Sequence, residues 1–395
     1  MKRVDVLVVG AGPAGSTTAF RLARAGTSVL LVDRARFPRD KPCGGGLSGR
    51  ALRELPFSPA PVVEASVDTF EFGLPGRAFA ERRSAEPLVL MTQRRRLDHF
   101  LVEQATAAGA EFSDGTKVVA VESGPDGVTV GLETGRVRCR ALVGADGANG
   151  VVGRATSIPV DHVFDVALEG NIGYDDFPAD RIARRVLVEL SQPPGGYGWL
   201  FPKGDHANVG VWGSALTGPR LRDYLKRFCE RHEVPFERVE NIRGHRLPLR
   251  RPGSPAASGR ILLVGDAAGL VDPLSGDGMY EAFLSSRLAA DSILDLLEAR
   301  TAGLEPYTTR LCRTLAPGAS AAWGAKTVAA RYPRLTFAIA RLPLAWSAVD
   351  RLVRGDLEHP GEERGLGRVA LKAVERIARA AGDPGAAYRA EAHAA

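Results

Sequence analysis

The chain has 395 residues, 45% hydrophobic and 25% charged, a soluble composition too long for one ordinary core, so two or three domains are expected. Four cysteines (Cys43, Cys139, Cys229, Cys312) form no C-x-x-C pair, and seven histidines show no ligand spacing, which argues against a disulfide framework and a metal site. The net charge of +6 rests on 52 basic residues, nearly all arginine; it fits an arginine-rich proteome, or affinity for anionic membrane or a phosphorylated substrate, and no basic run is interleaved with aromatics as nucleic-acid binding would need.

The first expected strand begins by Val4, which leaves no room for a signal peptide before it, and no 18-residue apolar run exists. A cytoplasmic, reducing environment is the corresponding expectation. Val4–Val9, the Ala-rich stretch to Ala25 and Ser28–Val32 read as strand, helix, strand, a βαβ unit of a buried parallel sheet. Arg94–Ala108 has helical spacing, and Val118–Val121, Val128–Leu132 and Val137–Val143 read as strands joined by glycine turns. From about Val163 to Trp212 short β-like stretches and Pro/Gly turns predict a separate, mostly antiparallel sheet. Ile261–Val264 returns to a buried strand, Ser275–Ala299 reads as a long helix, and the chain beyond Thr301 reads as helical, with an Ala/Arg-rich tail after Gly382 expected to be disordered.

Gly10-x-Gly12-x-x-Gly15 lies between the first strand and the first helix, where a dinucleotide fingerprint must lie. Gly10 permits a tight turn, Gly12 lets the backbone approach a pyrophosphate, and Gly15, with Ala14 before it, lets helix and strand pack closely. The helix N-terminus offers free N–H groups to the phosphates. Asp33, with Arg34 beside it, ends the second strand, where a carboxylate can accept hydrogen bonds from a ribose. These features suit either NAD or FAD. Asp146-Gly147 and Gly265-Asp266 each close a further strand, and Gly276-x-Gly278 opens the long helix.

Together these segments resemble the FAD fold shared with the aromatic hydroxylases. That resemblance implies that Asp266 contacts the ribityl chain, that amides near Gly276 and Gly278 face the flavin pyrimidine edge, and that Arg94 stands near the FAD phosphates. Two further segments point to a reaction. Cys43-Gly44-Gly45-Gly46 sets a thiol among glycines that could lie against a flat ring. In Tyr197-Gly198-Trp199-Leu200-Phe201-Pro202-Lys203, strand geometry puts Tyr197, Trp199 and Phe201 on one face, as a binding wall or as ordinary sheet packing. The pair resembles the geranylgeranyl reductase family over about residues 4–298, nearest its menaquinone-tail and archaeal lipid reductases, although that family's motif often reads Cys-Gly-Asp.

The resemblance implies an α/β fold: a Rossmann-like FAD-binding domain (1–160 and 245–300), an inserted, mostly antiparallel β-sheet substrate domain (161–244) and a C-terminal helical region (301–395). It implies saturation of isoprenoid C=C bonds by FAD, with NAD(P)H or reduced ferredoxin as electron donor, a long-chain prenyl substrate, and Cys43, Tyr197, Trp199 and Phe201 at the reacting bond. The proton donor is Cys43, Tyr197 or a water. A monooxygenase or halogenase of the same fold, or a non-catalytic membrane-surface flavoprotein, are the rival readings. Leu335–Val349, apolar but interrupted by Arg341 and Pro343, reads as an interfacial segment or a packed lid. A monomer with peripheral membrane contact, at the inner face of the cell membrane, is expected.

Overall fold

The computed structural model describes residues 1–156, 158–357, 359, 362 and 365–382; the tail expected to be disordered lies outside them. The first sheet carries the βαβ unit. Its central strands run in the order Ile261–Leu263, Gly135–Gly144, Lys2–Val9, Val29–Val32, Glu111–Ser113, each pair parallel. Leu7, Leu31, Leu142 and Leu262 are fully buried, as expected of a sheet covered on both faces. Helices Pro13–Arg24 and Met279–Leu297 pack on one another, with hydroxyls Thr17 and Ser286 in hydrogen bond between them at 2.9 Å. The long helix starts later than the sequence pattern suggests. Asp272 Oδ1 accepts from the amides of Leu274 and Ser275, which holds this segment in a turn, and Asp277 caps Met279.

The second sheet has the order Glu240–Arg250, His162–Gly173, His206–Ser214, Tyr197–Pro202, Arg185–Leu190, Thr69–Gly73, Ala80–Arg83. It is antiparallel except where Arg185–Leu190 runs parallel to Thr69–Gly73. The sheet therefore reaches beyond 161–244: its first strand runs on to Arg250, and two strands come from before residue 84. One face is covered by helix Leu221–Arg231, with Phe228, Leu225 and Leu200 buried between them. The other face looks toward the first sheet. A small third sheet (Gly46–Ser48, Val89–Thr92, Val63–Val67) joins the two. The C-terminal region is helical: Glu305–Arg331, Pro333–Ala340, Pro343–Arg354 and Gly365–Ala380. Among the described residues no helix is long and apolar enough to cross a membrane.

Candidate active site

The carboxyl ends of three parallel strands meet at the glycine turn. Gly10 has φ +104°, and a Cβ there would overlap the Ala145 carbonyl; a Cβ on Gly15 would overlap the Gly10 carbonyl. Both positions therefore require glycine. Gly265 (φ +55°) packs against Ala14, whose methyl lies 3.0 Å from the position a Cβ would take. Helix Pro13–Arg24 has no side-chain cap and no acid in its first turn, so its N-terminus is open to an anion. Two guanidiniums flank that turn: Arg39 Nη2 and Arg94 Nη2 lie 3.6 and 3.8 Å from a Cβ position on Gly12. The fully buried Asp98 holds both, Arg94 through Nε and Nη2 at 2.7 and 2.8 Å and Arg39 through Nη1 at 2.9 Å. One carboxylate against two cations leaves the turn positive.

The other acids divide into two kinds. Asp33 is buried beside the turn, accepting from the amides of Ala11 and Ala35 at 2.8 Å each, while Arg34 next to it is exposed. Asp146 turns back on its own chain: its Oδ2 accepts from the amides of Val151 and Val152, so it caps a local turn through Gly147 (φ +77°). Asp266 faces inward. Lys41 Nζ lies 3.0 Å and His245 Nε2 3.6 Å from its Oδ2, and its Oδ1 lies 3.4 Å from the Cβ position of Gly278 at the mouth of helix Met279–Leu297. Burial favours the neutral acid, but Lys41 and His245 outweigh it and hold the Asp266 carboxyl well below the usual range. Gly276 (φ +67°) lies under the Trp212 indole.

The inward face of the second sheet follows from register. Tyr197 is level with Trp212, Trp199 with Gly210 and Phe201 with Asn208; one strand further on, Glu169 is level with Gly210 and Ala167 with Trp212. Gly198 and Leu200 point the other way, where Phe228 lies against Gly198. A Cβ on Gly210 would overlap the Trp199 ring, so this glycine lets the indole lie flat across the neighbouring strand. Its Nε1 then donates to Asn208 Oδ1 at 2.7 Å, and Asn208 Nδ2 donates to the carbonyl of Gly170 and to Asn171 Oδ1. The Cys43 loop lies directly on this face. A Cβ on Gly44 would come within 2.9 Å of the Phe201 ring and 3.9 Å of Trp199 Nε1. The two segments singled out in the sequence are therefore in contact.

The loop is held by polar groups on both sides. Glu169 Oε1 accepts from the Cys43 amide at 2.6 Å, and the Gly45 amide donates to Cys43 Sγ at 3.3 Å. Lys203 Nζ donates to the carbonyls of Gly44 and of Thr92, the latter at 2.8 Å. Thr92 donates its amide and hydroxyl to the Gly45 carbonyl. Burial pushes the Glu169 carboxyl up to about 7 and the Lys203 ammonium down to about 8. Tyr197 donates its hydroxyl to the Ser275 carbonyl, and burial raises its pKa. At the open end of the aromatic face, a small open cleft lies between Tyr197, Trp212 and Leu274 on one side and Lys326, Pro333 and Thr336 on the other.

The FAD binding domain family matches residues 3–315. The menaquinone reductase of Mycolicibacterium smegmatis is 35% identical over 319 residues, 73% of this chain and 76% of the relative. The geranylgeranyl diphosphate reductase of Rhodobacter capsulatus is 33% identical over 306 residues, 75% of this chain and 76% of the relative. The chain belongs to the geranylgeranyl reductase family. Among solved structures, a geranylgeranyl bacteriochlorophyll reductase-like protein from Thermoplasma acidophilum has the same fold, with a TM-score of 0.72, 23% identity and coverage of 96% of this chain and 100% of that one. This member of the family is a flavin-dependent oxidoreductase.

The reductase's own geometry fits FAD. At Gly12 nothing but the two guanidiniums lies within 4 Å of a Cβ position, so the backbone is open to a ligand there, and the Arg39/Arg94 pair and the open helix end suit the diphosphate. Sequence reasoning missed Arg39, His245, Glu169 and Trp212, and gave no role to Lys41, Lys203 and Asn208, which lie in or beside the two segments it singled out. Arg39 and Lys41 carried a readable signal, two cations just ahead of the Cys43 glycines. Glu169 and His245 carried none, because only sheet register brings them to the loop and to Asp266.

Proposed function

We propose that this reductase saturates C=C bonds of a long isoprenoid chain carried on a lipid or a quinone, at the face where the Cys43 loop meets Tyr197, Trp199 and Phe201. The contact of those two segments is the observation that carries the reading. It agrees with relatives named for menaquinone and geranylgeranyl diphosphate. An isolated trisubstituted alkene gives a hydride no electron sink, so a proton must reach one carbon first and leave a tertiary cation on its neighbour. Reduced FAD, when bound, supplies the hydride that completes the new pair of C–H bonds. The electrons come from NAD(P)H or reduced ferredoxin. Trp199 and Phe201 present ring faces to the cation, a contribution of about 2 kcal/mol when water is excluded. Tyr197 donates its hydroxyl to the Ser275 carbonyl, which leaves the Cys43 thiol or a water as donor, and we favour the thiol.

The cleft beside Tyr197 and Trp212 suits entry of an apolar chain. Pro333 and Thr336 line its mouth, and the adjoining helices expose Tyr332, Leu335, Leu342 and Leu344 beside Arg331, Arg334 and Arg341. We read this surface as the membrane-facing side through which the substrate leaves lipid. The reaction is tested by turnover in D₂O with mass spectrometry of the product. Each saturated bond is expected to add two hydrogens, at least one of them solvent deuterium on carbon. Product free of carbon-bound deuterium would overturn protonation by an exchangeable donor.

A further inference from the structure

Two buried ionisable groups close to the reacting loop have no part in the chemistry above. Glu169 comes from the strand His162–Gly173 and Lys203 directly follows Tyr197–Pro202, and they hold neighbouring residues of the Cys43 loop. Glu169 takes the Cys43 amide, and Lys203 ties the Gly44 carbonyl to that of Thr92. Gly45 (φ +71°) must be glycine, because a Cβ there would collide with Lys203 Nζ and the Thr92 carbonyl. The Asn208 side chain adds a further hydrogen bond to Glu169, so the loop is tied through the pair to the strands on either side of it.

We propose that Glu169 and Lys203 are positioning residues that clamp the Cys43 loop against the aromatic face and set the reactivity of its thiol through the charge on Glu169. The inference rests on the reading that Cys43 stands at the reacting bond, but it concerns the loop itself. Glu169 is acidic enough to ionise only near neutrality, since burial lifts its carboxyl to about 7. The charges facing it are Lys203, Asp40 on the loop, and Arg243, which is level with it on the neighbouring strand and lies 3.1 Å from Asp40. Ionisation therefore adds a negative charge one hydrogen bond from the Cys43 amide, which disfavours the thiolate.

Alkylation of the FAD-loaded protein by N-ethylmaleimide, with modification at Cys43 followed by mass spectrometry, reads this directly. The other three cysteines are buried, so the Cys43 signal stands alone. In the wild type, log rate against pH is expected to bend near pH 7. Glu169→Gln keeps an acceptor for the Cys43 amide and should hold the rate below pH 6 within twofold, but lose the bend. Glu169→Ala removes the grip and should raise the rate at least tenfold with FAD absorbance retained. Wild-type rates and an unchanged bend in both variants would overturn the clamp. A Cys43→Ser protein that still delivers solvent deuterium at the wild-type rate would overturn Cys43 as donor while leaving the clamp standing, so the two failures are distinguishable.

Discussion

Burial of Glu169 has a consequence for stability as well as for the thiol. Burial lifts its carboxyl to about 7 in the folded protein, against 4.5 for an exposed glutamate. Between those two values the folded chain holds a proton that the unfolded chain has lost, so stability falls as pH rises through that window and the loss is complete above 7. The shift corresponds to roughly 3 kcal/mol. Glu169→Gln cannot ionise and escapes this loss. Urea unfolding of both proteins at pH 4.5 and pH 8 should show the variant gaining on the wild type by a few kcal/mol between the two conditions. Parallel pH profiles would mean that Glu169 is already ionised in the folded state. At this scale the sequence was legible only where residue type was unusual for its surroundings. A cysteine among glycines and three alternating aromatics announce themselves. Glu169 and His245 are ordinary residues in ordinary strands, and their roles exist only through cross-strand register.

Elements with a local cause were read closely. The first strand, the fingerprint helix and Val29–Val32 follow from apolar runs and glycine spacing, and helix Arg94–Ala107 from its periodic leucines. The parallel pairing of Arg185–Leu190 with Thr69–Gly73 joins segments more than a hundred residues apart, and no local pattern reports it. Arg94 belongs to both kinds of evidence: its place at a helix start was visible, but the partner that orients it was not. Asp98, one turn on, fixes its guanidinium in a two-pronged bond and holds Arg39 alongside. Arg94→Met leaves Arg39 on Asp98, so the buried acid keeps a counter-ion while the turn loses one of its two cations. FAD should then bind at least tenfold more weakly, about 1.4 kcal/mol, in fluorescence titration of the flavin-free protein. Unchanged affinity would place the diphosphate away from Arg94.

The molecule as a whole presents one surface that differs from the rest. Helices Pro333–Ala340 and Pro343–Arg354 are a packed lid on their inner side, where Phe337 meets Phe72 edge-on and Trp346 lies near Phe70. On their outer side Leu342 and Leu344 are 55% and 54% exposed and Leu335 41%. The inner side matches the expectation of a packed lid, and the interfacial reading concerns the outer side alone. Covering three half-exposed leucines contributes about 1 kcal/mol each, and an arginine near an anionic surface about the same. The sum, with Arg331, Arg334 and Arg341, is enough for reversible attachment to a bilayer and far from the strength of a spanning helix. Because half of it is electrostatic, the attachment should depend on both lipid charge and salt. Flotation with phosphatidylglycerol vesicles at 0.1 M salt, a condition where charges reach about 10 Å, should carry the protein upward. Neutral phosphatidylcholine vesicles, or phosphatidylglycerol vesicles at about 1 M salt, where the reach falls to about 3 Å, should leave it behind. The double change Leu342→Asp, Leu344→Asp alters no residue lining the cleft and should abolish flotation while the flavin spectrum stays unchanged. A double variant that floats like the wild type would show that the lid's outer side is not what meets the membrane.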